Sequence, residues 1–399
     1  MSLTVRHLHF IDLRFLDRIR GEEELAYYDT MLQPQALGPA ITAVRERLEA
    51  AIKGEVRTGQ AVEGYEWKLS GNDTLLRNWL PYLADVGRSL YRILLPESQR
   101  GSLQDKGERL KAALQPGAVI QINPIVGKVT IPWTLLYERP VRLIPGQMRV
   151  CEKFVDAGPD CPNCESLQDP TVTCPYAFWG YRYAIEQLPG WVGTELPQPL
   201  VLVRQISNGR PLLLNLNVWQ GFKLWGEHKK KLDSAGQVTT LLAKQLNELV
   251  TAWEQHGTEL DIVYFYTHGG IDNQQPYLEV SDGKIMSNFL ESCQLNWPHH
   301  PLVFLNGCST GDYGPESFVS LVDDFRTAGA SGVIGTECAI PELIAEGYAT
   351  ALFPRLFRGE RVGQAMLEVR LEFLLNMRNP LGLVYSLYAS NEISLANPV

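Results

Sequence analysis

The chain has 399 residues, 45% of them apolar and 20% charged, with a formal charge of −9 and a pI near 5.4. This is the composition of a globular protein with room for two modest domains or one large α/β domain, and the acidic balance excludes phosphate tracking as its main business, because that needs clustered Lys and Arg. The first residues are interrupted by Arg and His and carry no apolar signal-peptide core; nowhere do about eighteen apolar residues run together, so the sequence predicts a cytoplasmic chain with neither membrane nor nucleic-acid partner.

In chain order, His9 to Phe15 alternates apolar and polar residues as a half-buried strand does, and a polar stretch leads from it to a helix around Ile41 to Ile52. A second helix spans Asn78 to Leu95, and two strands are expected over Gly117 to Leu136, turning between Pro124 and Gly127. Beyond Pro199 the pattern grows regular. Strands are expected at Pro199–Arg204 and Pro211–Leu216, and a helix at Thr239–Gln255 from the spacing of Leu242, Leu246, Leu249 and Trp253. The run Lys229 to Lys231 reads as a solvated loop.

Asp261–Thr267 and His300–Leu305 are apolar at nearly every position, as strands covered on both faces are. A crossover helix is expected between them at Lys284–Gln294. Then follow a helix at Ser317–Ala328, a strand at Gly332–Gly335, helices at Pro341–Phe357 and Val362–Met377, and a strand at Leu383–Tyr388. This alternation predicts a doubly wound, mostly parallel sheet with helices on both faces, an α/β/α sandwich.

Such sheets carry their chemistry in the loops at the carboxyl ends of the strands. One of the two central strands runs into Thr267-His268-Gly269-Gly270, the other into Asn306-Gly307-Cys308-Ser309-Thr310-Gly311. A thiol beside an imidazole can lose its proton near neutral pH and attack a carbonyl, and the imidazolium can then protonate a leaving amine. The N–H groups of Gly269 and Cys308 could together bind the oxyanion. Cys293, in the expected crossover helix, and Cys338 read as structural, and His299 and His300 stand at the opposite end of the sheet. A cysteine phosphatase would need an Arg about six residues after the nucleophile, where this chain has Gly314.

Cys151, Cys161, Cys164 and Cys174 are spaced C-x9-C-x2-C-x9-C within a Pro-bearing insertion, residues 150–179, with little apolar content. The C-x2-C element is a metal-binding knuckle, and four thiolates would complete a tetrahedral structural zinc site; free or partly oxidised thiols are the alternative. No His or carboxylate completes an open site there, so no cofactor is expected for catalysis.

The segments Tyr264–Gly270, Leu302–Gly311, Ala328–Thr336, Phe353–Arg370 and Leu383–Tyr388, with Leu90–Leu95 and Ile131–Leu136 upstream, resemble the CHAT domain, a caspase-like and separase-related cysteine peptidase family of clan CD. The resemblance runs from about Asn78 to the end. It implies a caspase-like fold over 76–399, made of an amino-terminal half at 76–198 and a catalytic half at 199–399, with residues 1–75 as an extension. It also implies a Cys308–His268 dyad with Gly269 and Cys308 at the oxyanion. The function it implies is a regulated endopeptidase of bacterial defence or cell death that cuts a partner protein, such as a gasdermin-like pore former or another effector, and is switched on by a separate partner or by residues 1–75. The alternative is a catalytically silent scaffold of the same fold. In relatives preferring Arg or Lys, an acidic residue stands two positions before the nucleophile; here that position is Asn306. Glu337, after the strand beside Cys308, is therefore expected to face the substrate crevice and favour a basic residue before the cut, unless it is simply solvated.

Overall fold

The computed structural model describes residues 2–5, 11–17, 23–30, 34–54, 68–70, 73–95, 114–124, 131–159, 161, 164–187, 210–273, 275–307 and 315–395. The chain starts with strands β1 (Ser2–Val5), β2 (Ile11–Asp17) and β3 (Glu23–Thr30) and helices α1 (Pro34–Ile52) and α2 (Asp73–Leu94). Strand β4 (Val119–Pro124), the short pair β5 (Arg149–Val150) and β6 (Val172–Thr173), and β7 (Ala184–Gln187) follow. β3, β2, β1, β4 and β7 form one sheet in that order, with β1 parallel to β4 through Ser2↔Gln121.

Two expectations for this half change. The boundary expected at residue 75 is crossed by the β1–β4 ladder and by the contacts of α1 with α2, so the first residues are woven into the same layer. The second strand expected before Leu136 is, where described, a 3-10 turn at Trp133–Leu135. Pro132 has no N–H for a ladder, and the turn sends Trp133, Leu135 and Leu136 all inward. Residues 125–130 and the strand expected at Pro199–Arg204 lie outside the described residues.

The second half runs β8 (Leu212–Val218), α3 (Trp225–Ser234), β9 (Val238–Ala243), α4 (Leu246–His256), β10 (Ile262–Tyr266), β11 (His268–Asp272), β12 (Gln275–Val280), β13 (Gly283–Met286) and α5 (Ser287–Ser292). It continues through β14 (Leu302–Leu305), α6 (Pro315–Thr327), β15 (Gly332–Thr336), α7 (Glu342–Phe357), α8 (Val362–Leu375) and β16 (Tyr385–Tyr388). Its six-stranded sheet has the order β16-β15-β14-β10-β8-β9, parallel except for β16.

Every residue of β10, β14 and β15 is buried, because the alternating side chains feed two separate cores. Tyr264, Phe304 and Ile334 face the layer of α7 and α8, where Phe353 lies 4.9 Å from Tyr264 between ring centroids. Val263, Phe265, Val303, Leu305 and Val333 face the opposite core, where Phe325 of α6 lies 5.4 Å from Phe265. The α/β/α sandwich with a mostly parallel central sheet is as the sequence predicts.

The helix expected over Thr239–Gln255 is a strand and a helix. Val238, Thr239 and Thr240 are β-branched and extend the sheet edge, and the break comes where Glu248 Oε2 accepts from Lys244 N–H (2.7 Å) and closes a capping box with Gln245. The crossover between β10 and β14 is the antiparallel sheet β11-β12-β13 followed by the short α5, in place of a single helix. The lysine run lies in α3 and not in a loop; Lys229, Lys230 and Lys231 pair with Asp233, Glu227 and Glu346. No helix among the described residues is long and apolar enough to cross a membrane.

Candidate active site

Parallel strands place their carboxyl ends along one edge, and β8, β10 and β14 are neighbours there. β10 ends at Tyr266, Thr267 is buried, and His268 opens β11 half-buried. The Trp219 N–H donates to the Tyr266 carbonyl (3.2 Å), carrying the β8–β10 pairing one step past β8. That step brings the rings of Trp219 and Phe222 edge-on against His268, at centroid distances of 4.4 and 4.7 Å.

The loop holding these rings is fixed by its own hydrogen bonds. Leu224 N–H donates to Glu342 Oε1 (2.6 Å) and Gln220 N–H to Ser281 Oγ (2.9 Å). A Cβ on Gly221 would come within 1.9 Å of the Trp219 ring, so the ring holds this position only while residue 221 has no side chain. Gly269 is buried and pairs with Leu278 across β11–β12. A Cβ on Gly270 would meet the Tyr277 hydroxyl at 2.8 Å, so the Tyr277 ring keeps its place there only over a glycine.

On β14, Phe265 pairs with Leu305, and Asn306 N–H donates to the Phe265 carbonyl (2.9 Å). His268 follows Phe265 by as many residues as Cys308 follows Leu305. Gly307 is buried and Cys308 lies outside the described residues. The competing histidines are where the sequence puts them: His299 sits 3.6 Å from Asp261 beside Arg210, ahead of β10, and His300 Nδ1 lies 2.8 Å from the Gly329 carbonyl.

Neither residue expected to line a substrate pocket does so. Asn306 is wholly buried: its amide donates to the Tyr264 hydroxyl (2.9 Å) and the Ala345 carbonyl (2.8 Å), and its oxygen accepts from the Tyr385 hydroxyl (2.8 Å). Both its donors and its oxygen are engaged inside the protein. Glu337 is 3% exposed; its carboxylate accepts from Arg45 Nη2 (2.8 Å), Ser386 Oγ (2.5 Å) and Tyr388 Oη (3.3 Å). A carboxylate held by a cation and two hydroxyls is sealed by its partners, so the expected preference for a basic residue loses its basis.

Sequence reasoning missed the aromatic wall of Trp219 and Phe222 and the polar chain beneath the edge. In that chain His228 Nε2 lies 2.9 Å from the Tyr264 hydroxyl, which in turn accepts from Asn306. Burial pushes His228 down to about 4, against the pull of Glu346, so the ring is neutral at pH 7. The wall was within reach of the sequence, because Trp219-Gln220-Gly221-Phe222 directly follows a strand that neighbours the His268 strand.

The insertion brings its four cysteines together. Cys151, Cys161 and Cys164 have their sulfurs within 4.8 Å of one another, Cys174 is hydrogen-bonded to Cys164, and all four are buried. The hydrogen bond from Cys174, with Ser166 and Arg139 beside it, holds Cys164 far below the usual thiol range, down to about 3. Cys293 and Cys338 have no such setting: burial raises both.

Residues 216–389 match the model of the CHAT domain family. The chain is 30% identical over 360 residues, 83% of its length, to a protein of Vitiosangium sp. (strain GDMCC 1.1324) named a probable protease, and spans 46% of that relative's length. Among solved structures, two of the Saccharomyces cerevisiae separase–securin complex are similar to it. One matches with a TM-score of 0.37 and 13% identity, the other with 0.34 and 10%, each over 88% of this chain and 22% of that one.

Proposed function

From the match of residues 216–389 to the CHAT domain family, we propose that the protein is a cysteine endopeptidase worked by His268 and Cys308. The observation that carries this reading is the placing of His268 at the carboxyl edge of β10, ring against Trp219 and Phe222, beside the strand that leads to position 308. The relative named a probable protease supports it.

In this mechanism His268 takes the Cys308 thiol proton, and the thiolate attacks the scissile carbonyl carbon to form a C–S bond. The Gly269 and Cys308 N–H groups stabilise the oxyanion. The imidazolium then protonates the departing amine as the C–N bond breaks, leaving a thioester. Water, deprotonated by His268, releases the carboxylate and restores the thiol. The substrate is a partner protein; in line with the family resemblance it is a pore-forming or other effector of a bacterial defence or cell-death response, cut after a separate partner activates the enzyme.

The test is cleavage of a peptide library and of proteins captured by Cys308→Ala. Cys308→Ala and His268→Ala should each abolish cleavage, and iodoacetamide should label Cys308 ahead of Cys293, whose thiol burial holds above its ordinary range. Equal turnover by wild type and Cys308→Ala would sink the Cys308 assignment, and no turnover by either would leave a silent scaffold.

A further inference from the structure

We infer that Cys151, Cys161, Cys164 and Cys174 bind one structural zinc ion as four thiolates, with Arg139 balancing the charge of the site. The backbone delivers the sulfurs in two pairs. Cys151 directly follows β5 and Cys174 directly follows β6, and these strands are paired in parallel, with Cys151 N–H donating to the Thr173 carbonyl (2.9 Å). Two ligands therefore leave the same end of one small sheet. The other two sit on a tight turn, where Cys161 N–H donates to Gly158 (3.2 Å), Cys164 N–H to Cys161 (3.1 Å) and Leu167 N–H to Cys164 (3.0 Å).

The spacing suits a tetrahedral metal. Ligands about 2.3 Å from a tetrahedral zinc stand about 3.8 Å apart, and Cys151 Sγ and Cys164 Sγ are 3.7 Å apart. That separation is well beyond a disulfide bond of about 2.05 Å. The surroundings are built for thiolates. Amide N–H groups of Lys153 and Glu165 donate to Cys151, that of Ser166 to Cys164 and that of Tyr176 to Cys174. Four thiolates and Zn²⁺ sum to a charge of −2, and the Arg139 guanidinium lies against the cluster; it is 9% exposed, and its Nη1 donates to Ser166 Oγ (2.6 Å), itself 3.3 Å from Cys164 Sγ. Tyr137 Oη accepts from Cys174 N–H (3.1 Å) and fixes the fourth ligand.

Four protein ligands fill the coordination shell, so the ion is structural and leaves no open position for substrate. What it fastens is legible in the packing. The ligand-bearing strands lie on α2, and the segment after Cys174 continues through Phe178 to Tyr181, whose hydroxyl donates to the Pro380 carbonyl (3.3 Å) just ahead of β16. The metal thus ties the insertion to the edge of the central sheet.

Elemental analysis of the full chain purified without chelator should give one zinc per chain. Exchange for Co²⁺ should produce the intense d–d bands of tetrahedral thiolate coordination, a readout independent of activity. Arg139→Leu should release zinc to a competing chelator with about 10- to 100-fold weaker affinity, as loss of an outer-shell partner does, and Arg139→Lys should recover part of it. Because Cys164→Ser removes a ligand that the fold of the insertion needs, the cobalt spectrum and chelator competition are read on wild type. A metal-free protein with four freely titrating thiols, or two disulfides by mass spectrometry, would overturn the site.

Discussion

Two corners of one sheet edge treat polar side chains in opposite ways. At the β8–β10 corner, His268 is half-buried and packs edge-on against two aromatic rings. At the β14–β16 corner, Asn306 and Glu337 are sealed by Tyr264, Tyr385, Arg45, Ser386 and Tyr388. Both corners look equally reactive in sequence, each with polar residues at strand ends. The difference lies in partners supplied from elsewhere in the chain: a buried polar group already hydrogen-bonded inside cannot also bind a ligand without losing those bonds.

The largest expected effect breaks the first corner. His268→Ala and Cys308→Ala should each lower kcat/KM by at least ~10³-fold, and the double variant should be no worse than the weaker single, since the two groups act as a unit. By contrast Glu337→Gln should leave the cleavage preference of a peptide library unchanged. A shift in preference with Glu337→Gln would put that carboxylate back in the substrate crevice and erase the contrast.

Next in size is the stability held at the second corner. Arg45→Met strands a carboxylate that is 1% exposed at its side chain, and breaking such a pair from one side costs about 3–5 kcal/mol. Denaturant unfolding should show that loss, and Arg45→Met with Glu337→Met should recover most of it, because no charge is then left buried. A loss under about 1 kcal/mol in the single variant would mean that water reaches Glu337.

What the sequence made legible follows from the range of the signals. β10 and β14 declared themselves because both faces are covered and every residue is apolar; the knuckle of Cys161 and Cys164 did so because its spacing is local. The β11-β12-β13 sheet stands where the sequence pattern predicts a crossover helix, although Leu278 and Val280 flank Glu279 in strand-like alternation and Asp282-Gly283 marks the hairpin turn. β9 was hidden because Leu242 happens to continue the helical spacing of Leu246, Leu249 and Trp253. The sealing of Glu337 had no local signal at all: Arg45 is 292 residues away, in the segment set aside as an extension.

A third, smaller effect concerns the neutral imidazole below the edge. His228 is pushed from an ordinary 6.5 down to about 4, so between those values the unfolded chain takes up a proton that the native protein refuses. Stability should therefore fall as pH drops from about 6.5 to about 4, by a total of about 3 kcal/mol from this group. Comparing wild type with His228→Phe isolates it: the variant should show a flatter stability profile across that window, whatever its absolute stability. Parallel profiles would mean that the native ring protonates as readily as the unfolded one.

The smallest expected effect sharpens the comparison, because it disturbs the first corner without touching either reacting group. Gly221 is exposed, yet a Cβ there would fall within 1.9–2.6 Å of three carbons of the Trp219 ring. The ring is the mobile partner, being the far end of a side chain, so Gly221→Ala should turn it off His268 while the fold persists. Catalysis depends on holding the base within a fraction of an ångström of its productive position, and a small misplacement costs activity well before it costs stability. Gly221→Ala should lower kcat about tenfold with little change in KM or Tm, and Trp219→Ala should do the same. If Gly221→Ala is as active as wild type while Trp219→Ala is not, the ring has found room elsewhere and acts by contact with substrate. If both are fully active, the aromatic wall does not position His268, and the two corners differ only in how their polar groups are sealed.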